Sequence, residues 1–309
     1  MSEQPTRSRA ESTAIRIGAQ LGQRALDILA GQQPPAQPRD AATVMLLRPA
    51  AEHSAAEHSA AEQQAAEHRA GPDSGLEVYM LRRKSSMAFA PGAFVFPGGS
   101  VDARDADEQV AWAGPDPAEW GQIFDAPPEL ARALVCAAVR ETFEESGVLL
   151  AGPSAGSVVA DTTGEDWEAD RRALLDRSLS LAEMLARRGL VLRSDLLRPW
   201  SRWITPVIEE RRFDARFFAA ALPSQQRTRD VGGEAAAVAW VRPGDAIAMG
   251  RRKQIVLWPP TAVTLAELVA CRDVAAALAP RQVRPVLPEA SVAEGAAWLT
   301  LPADLEYPL

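Results

Sequence analysis

Apolar and polar positions along this chain alternate between two periods. Thr43–Arg48 (TVMLLR) and Leu76–Arg82 (LEVYMLR) are short apolar runs bounded by polar segments, which predicts strands. Phe94–Gly99 (FVFPGG) predicts a short buried strand running into a tight turn, and strand-like runs recur at Trp203–Ile208, Phe213–Leu222 and Ala235–Val241. Helical signals fall between them. Pro127-Pro128 opens a helix predicted from Glu129 to Ser146, with Gly147 at its C′ position. A second helix is predicted over 165–188 and a last one over Thr264–Leu278, after Trp258-Pro259-Pro260; residues 100–128, rich in Asp, Pro and Trp, are predicted to be irregular. Strands interleaved with helices predict an α/β sandwich on a mixed sheet.

The flanks follow other patterns. Residues 1–40 are expected to be a flexible arm containing one stretch of helical spacing, Leu21, Ala25, Ile28 and Leu29, and residues 281–309 a C-terminal tail. Between the first two strands, residues 49–75 carry the repeat AEHSA, AEHSA, AEQQA, AEHRA. Each five-residue step turns a helix by about 140°, so no shared face builds up, and the segment is expected to be a low-complexity surface loop. The 309 residues then amount to one elaborated domain over 41–280, with helical insertions at 100–128 and 152–199.

Composition narrows the chemistry. The chain is 47% hydrophobic and 24% charged with a net charge of -8, which argues against nucleic-acid binding as its main task. No apolar run reaches the ~20 residues of a membrane helix, and Met1–Arg9 lacks the apolar core of a secretory signal. Cys136 and Cys271 are far apart and form no zinc or disulfide framework, so a cytoplasmic, reducing setting is expected. The three histidines, His53, His58 and His68, all lie in the repeat. A histidine-based mechanism has no residue elsewhere to rest on, and an enzyme built on this chain works with carboxylates.

Those carboxylates are crowded at one place. Glu141, Glu144 and Glu145 fall on one face of the helix that ends at Gly147. Like charges at this spacing repel by ~0.2–0.5 kcal/mol per pair. The negative end of the helix dipole disfavours anions by a further ~0.3–1 kcal/mol. Two local rules broken together mark a site where function costs stability. A hard divalent cation, Mg²⁺ or Mn²⁺, turns that repulsion into coordination, and Arg140, four residues before Glu144, can hold one carboxylate in place.

Phe96-Pro97-Gly98-Gly99 followed by Arg140-Glu141-x-x-Glu144-Glu145-x-Gly147-Val148 resembles the box of the Nudix hydrolases, G-x5-E-x7-R-E-U-x-E-E-x-G-U with U aliphatic. Three departures stand out. Forty residues separate Gly99 from Arg140, where the pattern has 13; Arg132 stands eight before Arg140, where the pattern's first glutamate is expected, leaving Glu129 or Asp102 as substitutes; Thr142 replaces an aliphatic residue. The stretch from Arg82 through Phe96-Pro97-Gly98-Gly99, with Trp203-Ile204-Thr205-Pro206, Arg212-Phe213-Asp214-x-Arg216-Phe217-Phe218 and Trp258-Pro259-Pro260-Thr261, is similar to the acyl-coenzyme A diphosphatase branch.

The resemblance implies a Nudix-type α/β/α sandwich with a helical insert and a C-terminal helix. It implies hydrolysis of coenzyme A or acyl-CoA to (acyl-)phosphopantetheine and adenosine 3′,5′-bisphosphate with Mg²⁺ or Mn²⁺; the charge and the lack of an apolar span lead us to expect a small-molecule substrate and no nucleic-acid or membrane partner. Glu141, Glu144 and Glu145 are the implied metal ligands, with a Gly98 carbonyl beside them, and Arg140 completes the catalytic set. For the substrate's phosphates the available cations include Arg83, Arg211, Arg212 and the Arg251-Arg252-Lys253 cluster, and Glu234 is a candidate base from a facing loop. Trp203, Trp258 and Phe218 can stack an adenine or line an acyl channel, although a place in the buried core is the more ordinary role for each aromatic. ADP-ribose or another nucleotide as substrate, and a catalytically silent Nudix-fold binding protein, are the competing expectations.

Overall fold

The computed structural model describes residues 14–17, 23–50, 75–84, 90–229, 235–293 and 296–309. Its strands are β1 (Ala14–Ile17), β2 (Arg39–Pro49), β3 (Leu76–Arg83), β4 (Phe94–Val95), β5 (Gly98–Ser100), β6 (Trp112–Ala113), β7 (Ala151–Gly152), β8 (Val191–Arg193), β9 (Arg198–Ile204), β10 (Phe213–Ala221), β11 (Ala235–Val241), β12 (Pro285–Val286), β13 (Glu289–Ala293) and β14 (Ala296–Thr300). Its α-helices are α1 (Gln23–Leu29), α2 (Pro117–Phe124), α3 (Pro128–Ser146), α4 (Glu165–Leu175), α5 (Leu181–Arg188), α6 (Pro243–Arg251), α7 (Pro259–Val269) and α8 (Val274–Ala277).

The central sheet runs β11-β3-β2-β10-β9-β12, with β4 paired to β3 and β5 to β2. It is mixed: β2 lies parallel to β10 and antiparallel to β3, and β9 is antiparallel to β10 and parallel to β12. Both faces are covered, which explains why the strands are nearly continuous in apolar residues. Ala42, Val44 and Leu46 of β2 pack with the apolar residues of α3. Met45 and Leu47, between them in sequence, point to the other face and pack with Ala246 and Ile247 of α6 and Leu265 and Leu268 of α7. The result is the expected α/β/α sandwich. Among the described residues no helix is long and apolar enough to cross a membrane.

Several boundaries differ from the sequence expectation, each for a local reason. The predicted helix over 165–188 is two, because Asp176 accepts from the Ser178 amide and Ser180 forms a capping box with Glu183, which gives the backbone partners outside a helix. The predicted helix over Thr264–Leu278 instead starts at Pro259, where proline suits the first turn, and a separate short helix begins when Asp273 accepts from the Ala276 amide. Residues 100–128 are not wholly irregular: Asp116 and Glu119 cap α2, with Pro117 at its first position. Helix α6 lies where no element was predicted, and the strand expected over Trp203–Ile208 is Arg198–Ile204. The described part of the arm and the C-terminal tail are built into the fold. β1 pairs with β14, which pairs with β13, while Ala25, Ile28, Val286, Leu299 and Leu301 are buried. The repeat between β2 and β3, apart from its edges, lies outside the described residues.

Candidate active site

Helix α3 delivers the acidic trio. Its middle is buried, and it stops at Gly147, whose φ of 75° is the left-handed conformation that glycine adopts without penalty. The polar Thr142 is accommodated because its hydroxyl donates to Ala138 O at 2.7 Å inside the helix. Across from the helix end, β5 lies against β2, with Gly98 opposite Thr43. Close approach rather than backbone conformation requires these two glycines. A Cβ on Gly98 would sit 2.5 Å from Ala42 O, and one on Gly99 would sit 2.3 Å from a Glu141 carboxylate oxygen. The amide of Gly98 donates to Glu145 Oε2 at 2.9 Å, tying the FPGG corner to the helix.

Arg140 organises the rest. Its Nη1 donates to Glu141 Oε1 at 2.8 Å and lies 3.4 Å from Glu144 Oε1, and its Nη2 donates to Ser100 O at 3.0 Å. Its Nε and Nη2 grip the two oxygens of Asp105 at 2.9 and 2.8 Å, a bidentate pair. Asp105 is buried, as are Arg140 and Glu144. One guanidinium therefore serves three carboxylates, and the negative charge is in excess. Burial, reinforced by the charge of Glu141, raises Glu144 from 4.5 to about 7. Arg171 adds a cation close by, donating to the Glu144 backbone carbonyl at 2.8 Å.

Asp105 is the residue that counting backwards from Arg140 misses. Counted forwards, it stands sixth after Gly99, the place of the first acid in the G-x5-E half of the box, so the 27 extra residues fall between it and Arg140. Neither Glu129 nor Asp102 takes that place: Asp102 instead caps the single 3₁₀ turn that carries Asp105.

These groups open into a cleft of about 540 Å³. Its lining includes the three glutamates, Arg140, Asp102 and Arg104, together with the apolar side chains of Trp203, Phe213, Phe217, Trp258 and Leu299. Of the cations expected to meet substrate, Arg83 lines the cleft. Arg211 and Arg212 do not. Arg212 is buried, donating to Thr205 O at 3.0 Å and Ala36 O at 2.6 Å, so its charge fastens backbone carbonyls and is not available to a ligand. Phe218 is fully buried in the core, packed edge-on against Phe124 and tilted against Trp120, rather than facing the cleft. Glu234 lies outside the described residues.

Among the described residues no three His, Cys, Asp or Glu side chains are gathered into a ready ligand set. Glu141 is turned to Arg140 and Glu145 to the Gly98 amide. The donor chemistry nevertheless suits a hard divalent cation, since carboxylates outnumber guanidinium groups at a buried site and all present oxygen.

Comparisons with known proteins point to one family. The family model of the NUDT19 Nudix domain matches residues 116–268. A protein named acyl-coenzyme A diphosphatase NUDT19 from Gallus gallus is 32% identical, with 62% of this chain and 61% of the relative covered. Its counterpart from Xenopus laevis is 28% identical, covering 63% and 60%. The chain thus spans about three fifths of the length of these curated relatives. The crystal structure of a NUDIX hydrolase from Alicyclobacillus acidocaldarius superposes with a TM-score of 0.62 at 27% identity, over 81% of this chain and 99% of that one. On these matches the chain belongs to the Nudix hydrolase family, in the NUDT19 branch.

Proposed function

We propose that this protein is a divalent-metal-dependent diphosphatase that cleaves coenzyme A or acyl-CoA into (acyl-)phosphopantetheine and adenosine 3′,5′-bisphosphate. The observation that carries the reading is the buried Arg140 fork, which holds Glu141 and Glu144 beside the FPGG corner while Asp105 anchors it from behind. Glu141, Glu144 and Glu145, with a backbone oxygen of Gly98, would hold Mg²⁺ or Mn²⁺. When bound, the cation supplies charge neutralisation at the phosphoryl oxygens and acidifies water at neutral pH.

The chain's own groups do the positioning. Arg140 fixes the direction of two carboxylates, and the Gly98 amide fixes the third. One glutamate of the cluster would accept the proton of the water, and Glu234 is the alternative base. The apolar lining of the cleft, with Trp203 and Trp258, suits the pantetheine and acyl part of such a substrate. A reducing, cytoplasmic setting goes with this reading, Cys136 and Cys271 both being free thiols.

The test is to incubate the purified chain with Mg²⁺ or Mn²⁺ and a panel of diphosphates and to follow product masses. Release of adenosine 3′,5′-bisphosphate from coenzyme A or its thioesters is expected. Cleavage of ADP-ribose alone would transfer the chemistry to another substrate, and cleavage of nothing would leave a binding protein.

A further inference from the structure

A coenzyme A substrate carries a phosphate monoester apart from its diphosphate, and two of the cations that the sequence offered for it are engaged elsewhere. Arg212 holds two backbone carbonyls, and Arg251 Nε donates to Pro308 O at 2.7 Å. Two arginines that no motif singled out line the cleft instead, Arg104 and Arg177. Arg104 uses its donors internally. Nε and Nη2 go to Asp102, and Nη1 goes to the carbonyls of Arg177 at 2.9 Å and Leu179 at 3.4 Å. It thereby holds the turn between α4 and α5 against the cleft.

Arg177 is different in two respects. It follows the C-cap of α4 with φ of 65°, the left-handed position that glycine normally fills, so the chain accepts backbone strain to keep a long side chain there. That side chain is 76% exposed, and its Nε meets the Asp102 carboxylate at 3.7 Å, beyond hydrogen-bond distance. Two guanidinium groups thus face the Asp102 carboxylate at this wall. The pairings of Arg177 do not include the three glutamates.

We propose that Arg177, held in place by Arg104, binds a phosphate monoester of the substrate that lies outside the scissile diphosphate. The inference rests on the coenzyme A reading, in which that group is the 3′-phosphate of the adenosine. A planar guanidinium fork matches a phosphate with two parallel hydrogen bonds, and the strained backbone presents it without further reorganisation.

The test compares kcat/KM for coenzyme A and dephospho-coenzyme A at low salt. The wild type is expected to favour coenzyme A by roughly tenfold or more, the worth of one charged hydrogen-bonded contact. Arg177→Gly should bring the ratio near one through KM, with kcat nearly constant and the melting temperature retained or raised, because glycine adopts that φ freely. Arg177→Lys should keep part of the preference. Equal losses on both substrates, an unchanged ratio, or a collapse of the ratio in Arg83→Ala instead would overturn the proposal. A wild type that cleaves neither coenzyme would overturn the coenzyme A reading alone. Calorimetric titration with adenosine 3′,5′-bisphosphate and with AMP then decides this one: preference for the bisphosphate that disappears in Arg177→Gly supports it, and equal affinities overturn it.

Discussion

The acidic lining and the apolar lining of the cleft are built on different physics. In the acidic lining, the last turn of α3 meets β5 through a short list of directed contacts, nearly all of which pass through Arg140 or the Gly98 amide. The apolar lining comes from Trp203 and from Phe213 and Phe217, on β9 and its neighbour β10, with Trp258 before α7 and Leu299 of β14. A buried guanidinium is tolerated only with its partners in place, so the acidic lining has little freedom to vary. The apolar lining is defined by area and shape, which tolerate volume-conserving change. The acidic and the apolar lining are therefore expected to be separable by substitution, the one set by charge and the other by shape.

The strongest challenge to that separation is Glu145→Gln. Turnover should fall by about 10²–10⁴-fold, with the melting temperature unchanged or raised because a crowded charge is gone. Steady-state kinetics with thermal denaturation checks both, and an unaffected rate would remove the acidic lining from the chemistry. Asp105→Ala comes next. It leaves the buried Arg140 without its bidentate partner and should destabilise the fold by about 3–5 kcal/mol in denaturant titrations. A loss within experimental error would show that Arg140 is held without it.

Gly99→Ala should leave the fold intact but push the Glu141 carboxylate aside, weakening Mn²⁺ binding by about tenfold in calorimetry. Burial, then the charge of Glu141, sets the next effect through Glu144, which the folded chain protonates up to about pH 7 and the unfolded chain only to its ordinary 4.5. The stability from this proton is fully present below pH 4.5 and is lost as pH rises through 7. Melting temperatures in chelator should therefore fall between pH 5 and 8 on this account, and added Mn²⁺ should restore the loss at pH 8; a flat profile would mean that Glu144 is ionised throughout. The smallest effect belongs to the apolar lining. Trp258→Ala should raise KM a few-fold for long-chain acyl-CoA and leave free coenzyme A nearly unchanged, and equal changes for both would link the two linings.

Legibility followed the same division. The glutamates, Arg140 and Gly147 share one helix, and their spacing could be read because a helix places i, i+3 and i+4 together whatever surrounds it. Asp105 was hidden by the insert of 27 residues, although its distance from Gly99 was regular. The cap at Ser180 and the left-handed Arg177, which split one predicted helix into two, carry only weak local signals.

Local interactions were enough to set the strand and helix types, the acidic face of α3 and its glycine stop, because periodicity, capping and turn chemistry act over a few residues. Which arginine faces the cleft, which aspartate anchors Arg140, and the incorporation of both flanks as β1, β13 and β14 depended on contacts between segments tens to hundreds of residues apart. A guanidinium at the end of a long side chain finds its partner only when the backbone around it is already folded, and no spacing rule along the chain encodes that encounter.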